Sequence, residues 1–288
     1  MRETKGEKVF YVINGFLLLV FALICLYPII YVLSASFSSA EAVASGRVIL
    51  LPKDVSIGAY RAVFAKKDIW VGYANSIYYT VAGVAVNLLL TIFGAYPLSR
   101  KKLIGKKFLL VMVLIALFFN AGTVPNYLNY VQLGLLNTRL AIILGAGCAS
   151  MYVIIMRTFF QSIPDSLEEA AIIDGANQWQ VLWKIVLPLS RAAIATVGLM
   201  YGVGRWNSYF WAMVLLQNEA LQPLQVILKR ITVDVTFQLS VGGEQMIDSS
   251  LQMITYAVIM VSIIPMMIAY PFVQKYFEKG IMIDAVKG

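Results

Sequence analysis

The sequence predicts an all-α polytopic membrane protein with six transmembrane helices, on three observations. Hydrophobic residues make up 60% of the 288 and charged residues only 13%, with a mean hydropathy of +0.78. That composition excludes a soluble globular chain. Six apolar stretches, roughly 10–33, 74–97, 108–130, 139–160, 191–216 and 251–274, reach the ~20 residues a helix needs to cross the hydrocarbon core. The basic residues flank these stretches, as membrane topology requires, so the net charge of +8 does not point to nucleic acid.

The first stretch follows Arg2, Lys5 and Lys8 and precedes Ala42-Val43-Ala44, which resembles a secretory leader. A cleaved apolar region runs only about 7–15 residues, however, so an uncleaved span is expected. Pro97, Pro125 and Pro265 lie inside or at the ends of spans and imply kinks, tolerated where neighbouring helices satisfy the freed carbonyls. The outer segments 34–73 and 217–250 carry short amphipathic patterns, with Pro52, Pro223, Gly242 and Gly243, and neither reads as a soluble core. Residues 1–288 are therefore read as a single membrane domain. Cys25 and Cys148 fall inside spans and read as packing residues.

Orientation follows from the basic residues. Arg100, Lys101, Lys102, Lys106 and Lys107 fill the second connection, and Arg157, Lys184 and Arg191 surround the fourth. With Arg2, Lys5 and Lys8 before the first span and Lys275, Lys279 and Lys287 after the last, they place both termini in the cytoplasm. Most of the remaining basic residues sit in 34–73, long enough to translocate with little regard to charge. The polar island at 161–190 is then cytoplasmic.

That island is the most informative part of the chain. Ser166-Leu167-Glu168-Glu169 reads as a capping box, Ala170 and Ala171 give a smooth helix wall, and Gly175 ends the helix in the left-handed region. A second helix is expected from about Gln178, with Trp179, Leu182 and Ile185 on an apolar stripe, until Pro188 stops it. Taken singly these features fit an ordinary interfacial helix. Together they make a docking element through which a soluble partner can move a membrane protein.

Glu-Ala-Ala at 169–171, Gly175, and Ile185-Val186-Leu187-Pro188 resemble the EAA signature of bacterial ABC importer permeases. The likeness covers the whole chain and is nearest to the binding-protein-dependent carbohydrate permeases of the MalG-like class. Val124-Pro125-Asn126-Tyr127, Leu133 to Thr138, Trp206-Asn207-Ser208 and the tail from Gln274 also look familiar. The tail is similar to that of the LplC/YtcP-like subgroup, linked to plant-polysaccharide fragments. The resemblance implies the type I ABC importer permease fold, with this subunit paired to a second permease as a heterodimer. Two ABC ATPase subunits and an extracellular solute-binding protein would complete the assembly. It also implies that Glu169, Ala170, Ala171 and Gly175 form the coupling helix that enters the ATPase cleft.

No cofactor or metal is expected, and the sequence contains no histidine. Gly145-Ala146-Gly147-Cys148 lacks the lysine of a phosphate-binding loop and reads as close helix packing, so ATP hydrolysis must reside in the partner. Polar groups inside spans are functional candidates. Arg205 lies about 21 Å above Arg191 at the helical rise. Tyr201, Arg205, Trp206, Asn207 and, in other spans, Asn87 and Asn120 could line a sugar path, with Arg205 favouring an acidic sugar. The alternative is that Arg205 pairs with a carbonyl or carboxylate while the aromatics pack helices. A secondary transporter would bury carboxylates, but the central spans are nearly free of them and Asp248 sits only at the edge of the last. No clustered carboxylates or Ser/His arrangement supports a membrane enzyme. A scaffold would not need polar groups within several spans.

Overall fold

The computed structural model describes residues 4–145, 147–241, 253–268 and 270–271. Gly242, Gly243, Asp248 and the tail from Gln274, on which several expectations rest, lie outside the described residues. In chain order the helices are α1 (Lys5–Ser36), α2 (Ala40–Ala44), α3 (Gly58–Ala65), α4 (Lys67–Ser99), α5 (Lys106–Phe118), α6 (Thr123–Gln132), α7 (Arg139–Leu144) and α8 (Ser150–Ser162). They continue as α9 (Asp165–Ile173), α10 (Gln178–Val181), a π turn (Leu182–Val186), α11 (Leu187–Leu189), α12 (Arg191–Asn207), α13 (Phe210–Leu215) and α14 (Leu224–Val241). A last helix, α15, spans Met253–Ile268. No strand occurs among the described residues. The chain divides into two compact units, residues 1–70 with 228–264 and residues 71–227 with 265–288.

In the first unit α1 opens with a capping box, in which Thr4 Oγ1 accepts from the Glu7 amide while the Glu7 carboxylate accepts from the Thr4 amide. Its side chains from Val9 to Ile30 stand exposed around the helix. So much apolar surface is tolerable only against lipid or another protein. The 34–73 segment does more than its sequence pattern suggests. Ser34 donates to the Leu50 carbonyl at 2.6 Å, and Ser36 shares a 2.9 Å bond with the Tyr60 hydroxyl. Phe37, Tyr60, Phe64 and Trp70 stack in series. Ala42, Val48, Ala59 and Val63 are buried beneath them. This segment is held largely by serine hydrogen bonds, which leave no hydrophobic period to read.

In the second unit α4, α8, α10 with its π turn, and α12 share one core. Ile92, Ala95, Val153, Met156, Phe160, Val181, Leu182, Val186, Ala193 and Val197 are all buried in it. A smaller cluster joins Tyr79, Ile143, Ala212, Leu216 and Val226. Beside it the 217–227 turn is pinned by Asn75, which donates to the Ala220 and Gln222 carbonyls at 2.9 and 3.1 Å. The Tyr79 hydroxyl donates to Leu221 at 2.8 Å.

Two helices, Gly6–Ser36 and Lys67–Ser99, are individually long and apolar enough to cross a membrane. Where the sequence suggests continuous third and fourth helices, the structure shows broken ones. The 108–130 stretch bends by 114° between α5 and α6. Gly122 there has φ +86°, and Asn120 accepts from its amide at 2.9 Å. The 139–160 stretch stops at Leu144 and restarts at Ser150. Gly145 and Gly147 sit at this break and also admit side chains of other helices, Tyr130 of α6 and Leu90 of α4. A Cβ at 145 would lie 2.6 Å from the Ala141 carbonyl oxygen, and one at 147 would lie 2.8 Å from that of Leu144. The 191–216 stretch is interrupted at Ser208 and Tyr209.

Candidate functional site: a lever and an intramembrane helix break

The polar island forms two short helices, as its sequence suggests, with different capping. Helix α9 begins at Asp165 with Pro164 at its N-cap and no side-chain cap bond. The capping box expected from Ser166 and Glu169 is therefore not made. Ser166 already lies inside the first turn, and the acidic side chains there turn to lysine and arginine instead. Glu168 pairs with Arg100, and Asp165 pairs with Lys101. The end of α9 follows the Schellman pattern. Gly175 at φ +85° lets its own amide reach the Ile172 carbonyl at 3.0 Å and the Ala176 amide reach that of Ala171 at 2.9 Å. The capping box of the second helix is made by Asn177 and Gln180, two 2.9 Å bonds.

Of the signature residues, Glu169, Ala170 and Gly175 are exposed while Ala171 packs on the core. Trp179 stands outside the expected stripe, edge-on to Phe93 at 5.9 Å, whereas Val181, Leu182 and Val186 are buried. Pro188 does not stop the helix. The Leu187 amide bonds back to Leu182 in a π turn just before the proline, and the run bends by 80° only after Leu189, where α12 begins.

Arg100 and Lys101, which the sequence marks only as topology residues, pair with the first turn of α9. Besides Glu168, Arg100 donates to the Phe160 carbonyl at 3.3 Å and lies 4.8 Å from the centre of the Tyr96 ring. Burial lowers its pKa from the usual arginine value. The hydrogen bond to Asp165 raises the Lys101 pKa, and the reciprocal bond lowers that of Asp165. Tyr96 also donates to Gln178 Oε1 at 3.0 Å. The end of α4 is itself capped by α8, since Arg157 donates to the Leu98 carbonyl at 3.0 Å. A cavity of about 560 Å³ opens here, lined by Arg100, Lys101, Asp165, Glu168 and Glu169 among others.

A second cavity, about 300 Å³, surrounds the broken fourth stretch. Tyr201 and Arg205 of α12 line it together with Ser208, Tyr130, Tyr152 and Trp211 among others. Arg205 donates to the Ile142 carbonyl, to that of Ile143 at 3.0 Å and to Asn87 Oδ1 at 2.9 Å. Its guanidinium is thus largely engaged by backbone, as the alternative reading of the sequence allows. Trp206, buried edge-on against Tyr73 at 5.9 Å, lies off this cavity. So do Asn207, which donates to Val203, and Asn120, which serves its own turn. Tyr130, Tyr152 and Trp211 are not singled out by the sequence, because aromatics in spans carry no distinguishing spacing.

The family description "Binding-protein-dependent transport system inner membrane component" matches residues 2–283. The chain belongs to that family. It is an ABC transporter permease, a membrane-integral transport subunit and not an enzyme. The permease is 43% identical over 279 residues to the polygalacturonan/rhamnogalacturonan transport system permease protein YtcP of Bacillus subtilis (strain 168), covering 96% of this chain and 97% of the relative. It is 37% identical to the LplC protein of the same organism, over 100% of this chain and 98% of the other. Among solved structures it resembles a bacterial ABC transporter involved in the import of the acidic polysaccharide alginate. There the TM-score is 0.88 at 45% identity, covering 96% and 99% of the two chains.

Proposed function

We propose that this permease forms half of the path by which a binding-protein-dependent ABC importer takes up acidic oligosaccharides. Six membrane crossings, with broken third, fourth and fifth segments, leave both termini and the 161–190 lever in the cytoplasm. A second permease completes the path as a heterodimer, two ATPase subunits grip the levers, and an extracellular receptor delivers the sugar. Glu169, Ala170, Ala171 and Gly175 form the face that enters the ATPase cleft. The chain has no phosphate-cradling loop, so work comes as a population shift driven by closure of the partner.

The observation that carries this reading is the lever itself. A short exposed helix with a small-residue face is tied by Arg100–Glu168 to the long α4 and runs on through α10 into α12. Force applied at Glu169 is therefore transmitted to two helices of the membrane core. The acidic substrate class is supported by the uronate-type polymers named for YtcP and for the alginate importer. Tyr201 and Arg205 supply aromatic and cationic wall to the proposed path at the 300 Å³ cavity, and Trp206, Asn207 and Asn120 are proposed to line it elsewhere. The test is uptake into proteoliposomes holding both permeases, the ATPase and the receptor. ATP-dependent uptake of tetragalacturonate in preference to a neutral oligosaccharide supports the reading. Uptake in the absence of the ATPase overturns it.

A further inference from the structure

The break between α7 and α8 releases backbone groups from helical hydrogen bonding at both of its ends, and side chains of α12 take them up. On the upstream side the Ile142 and Ile143 carbonyls accept from Arg205. On the downstream side the Ala149 amide donates to the Tyr201 hydroxyl at 3.0 Å. Both side chains come from α12, four residues and so about one turn apart. Each is also tied to α4: Arg205 donates to Asn87 at 2.9 Å, and Tyr201 shares a 2.8 Å bond with Thr91.

These contacts join the two ends of the break to the same two helices that leave the lever. Helix α12 continues from α10 and α11 after the single residue Ser190, and α4 ends at the Arg100–Glu168 pair. We propose that Tyr201 and Arg205 are positioning residues that make the broken fourth segment travel with α12, so that lever motion reshapes the 300 Å³ cavity. The inference rests on the transport reading above and adds to it how the stroke reaches the path. Any separation of α7 or α8 from α12 would break these three hydrogen bonds. The break is thus a joint that moves only as its holder moves.

The test uses the complete assembly with Tyr201→Phe, which keeps the ring and removes the hydroxyl, and Arg205→Gln. The receptor is loaded with tetragalacturonate. Sugar moved per ATP hydrolysed should fall at least threefold in Tyr201→Phe and about tenfold in Arg205→Gln. Amide exchange of residues 147–153 gives a second readout that does not require transport. In the parent it should be unchanged by vanadate trapping of the closed ATPase, and in Tyr201→Phe it should accelerate about tenfold on trapping. A merely structural role predicts less assembled complex with the same sugar-to-ATP ratio and the same exchange, and that outcome overturns the proposal. If the parent complex itself moves no sugar, the transport reading fails and the exchange result alone decides the joint. Should Arg205→Gln not assemble, Tyr201→Phe carries both measurements.

Discussion

Gly175 and Gly145 show how single residues set the geometry of the lever and of the joint. At Gly175 the φ of +85° belongs to the region where a Cβ collides with the following carbonyl, costing roughly 1–2 kcal/mol. Gly175→Ala should lower stability by about that amount and shift the register of α10, read as a fall in melting temperature of the purified protein. At Gly145 the obstacle is the neighbouring Ala141 carbonyl oxygen, 2.6 Å from where a Cβ would stand, with the Tyr130 hydroxyl also in the way. Lys101 and Asp165 bear on pH. The Asp165 pKa is lowered in the folded state, so its contribution is present above about pH 3.9 and lost as pH falls through the folded value. The Lys101 pKa is raised, so its contribution holds below about pH 10.4 and is lost as pH climbs through the folded value. The melting-temperature difference between the parent and Lys101→Ala should therefore be flat from pH 5.5 to about 9 and shrink below about pH 4. The sequence has no histidine, the one side chain whose unperturbed pKa lies at about 6.5.

The lever and its tie to α4 behave as one element. The Arg100 and Glu168 side chains are only 19% and 12% exposed, so removing either leaves a charge poorly solvated. A double-mutant cycle with Arg100→Ala and Glu168→Ala should give a coupling energy of about 1–3 kcal/mol, well above that of an exposed pair. The same cycle on exposed Lys101 and Asp165 should give a coupling near the floor for surface pairs. How far the sequence discloses these elements depends on the type of interaction. The glycine terminus of α9 and the start of α10 at Gln178 are local backbone chemistry, so residue type and spacing reveal them. The Arg100–Glu168 pair spans 68 positions, and nothing in either local pattern announces its partner. The breaks between α5 and α6 and between α7 and α8 are hidden in a different way. Hydropathy averages over them, and the groups that make the second tolerable, Arg205 and Tyr201, come from a distant helix. Pro188 reads as a terminator because its missing amide forbids one α-helical bond; the π turn before it absorbs that loss.

For the molecule as a whole, the apolar exposure of α1 and α5 and the polar lever fit a protein that spans a bilayer and works at one face. Exposed α1 side chains such as Phe10, Leu17 and Ile24 would drive aggregation in water. A single cysteine placed at Asp174, in a background with Cys25 and Cys148 replaced, should react with an impermeant maleimide only in inside-out vesicles. Reaction in right-side-out vesicles would reverse the proposed orientation. In the proposed mechanism the helix between the fourth and fifth membrane segments is gripped by a nucleotide-driven partner. Ala170→Cys, cross-linked in native membranes, tests it most directly. A covalent adduct with the ATPase subunit whose yield changes when ATP is added is the expected result, and efficient cross-linking to other proteins with no ATPase adduct at all would overturn this mechanism.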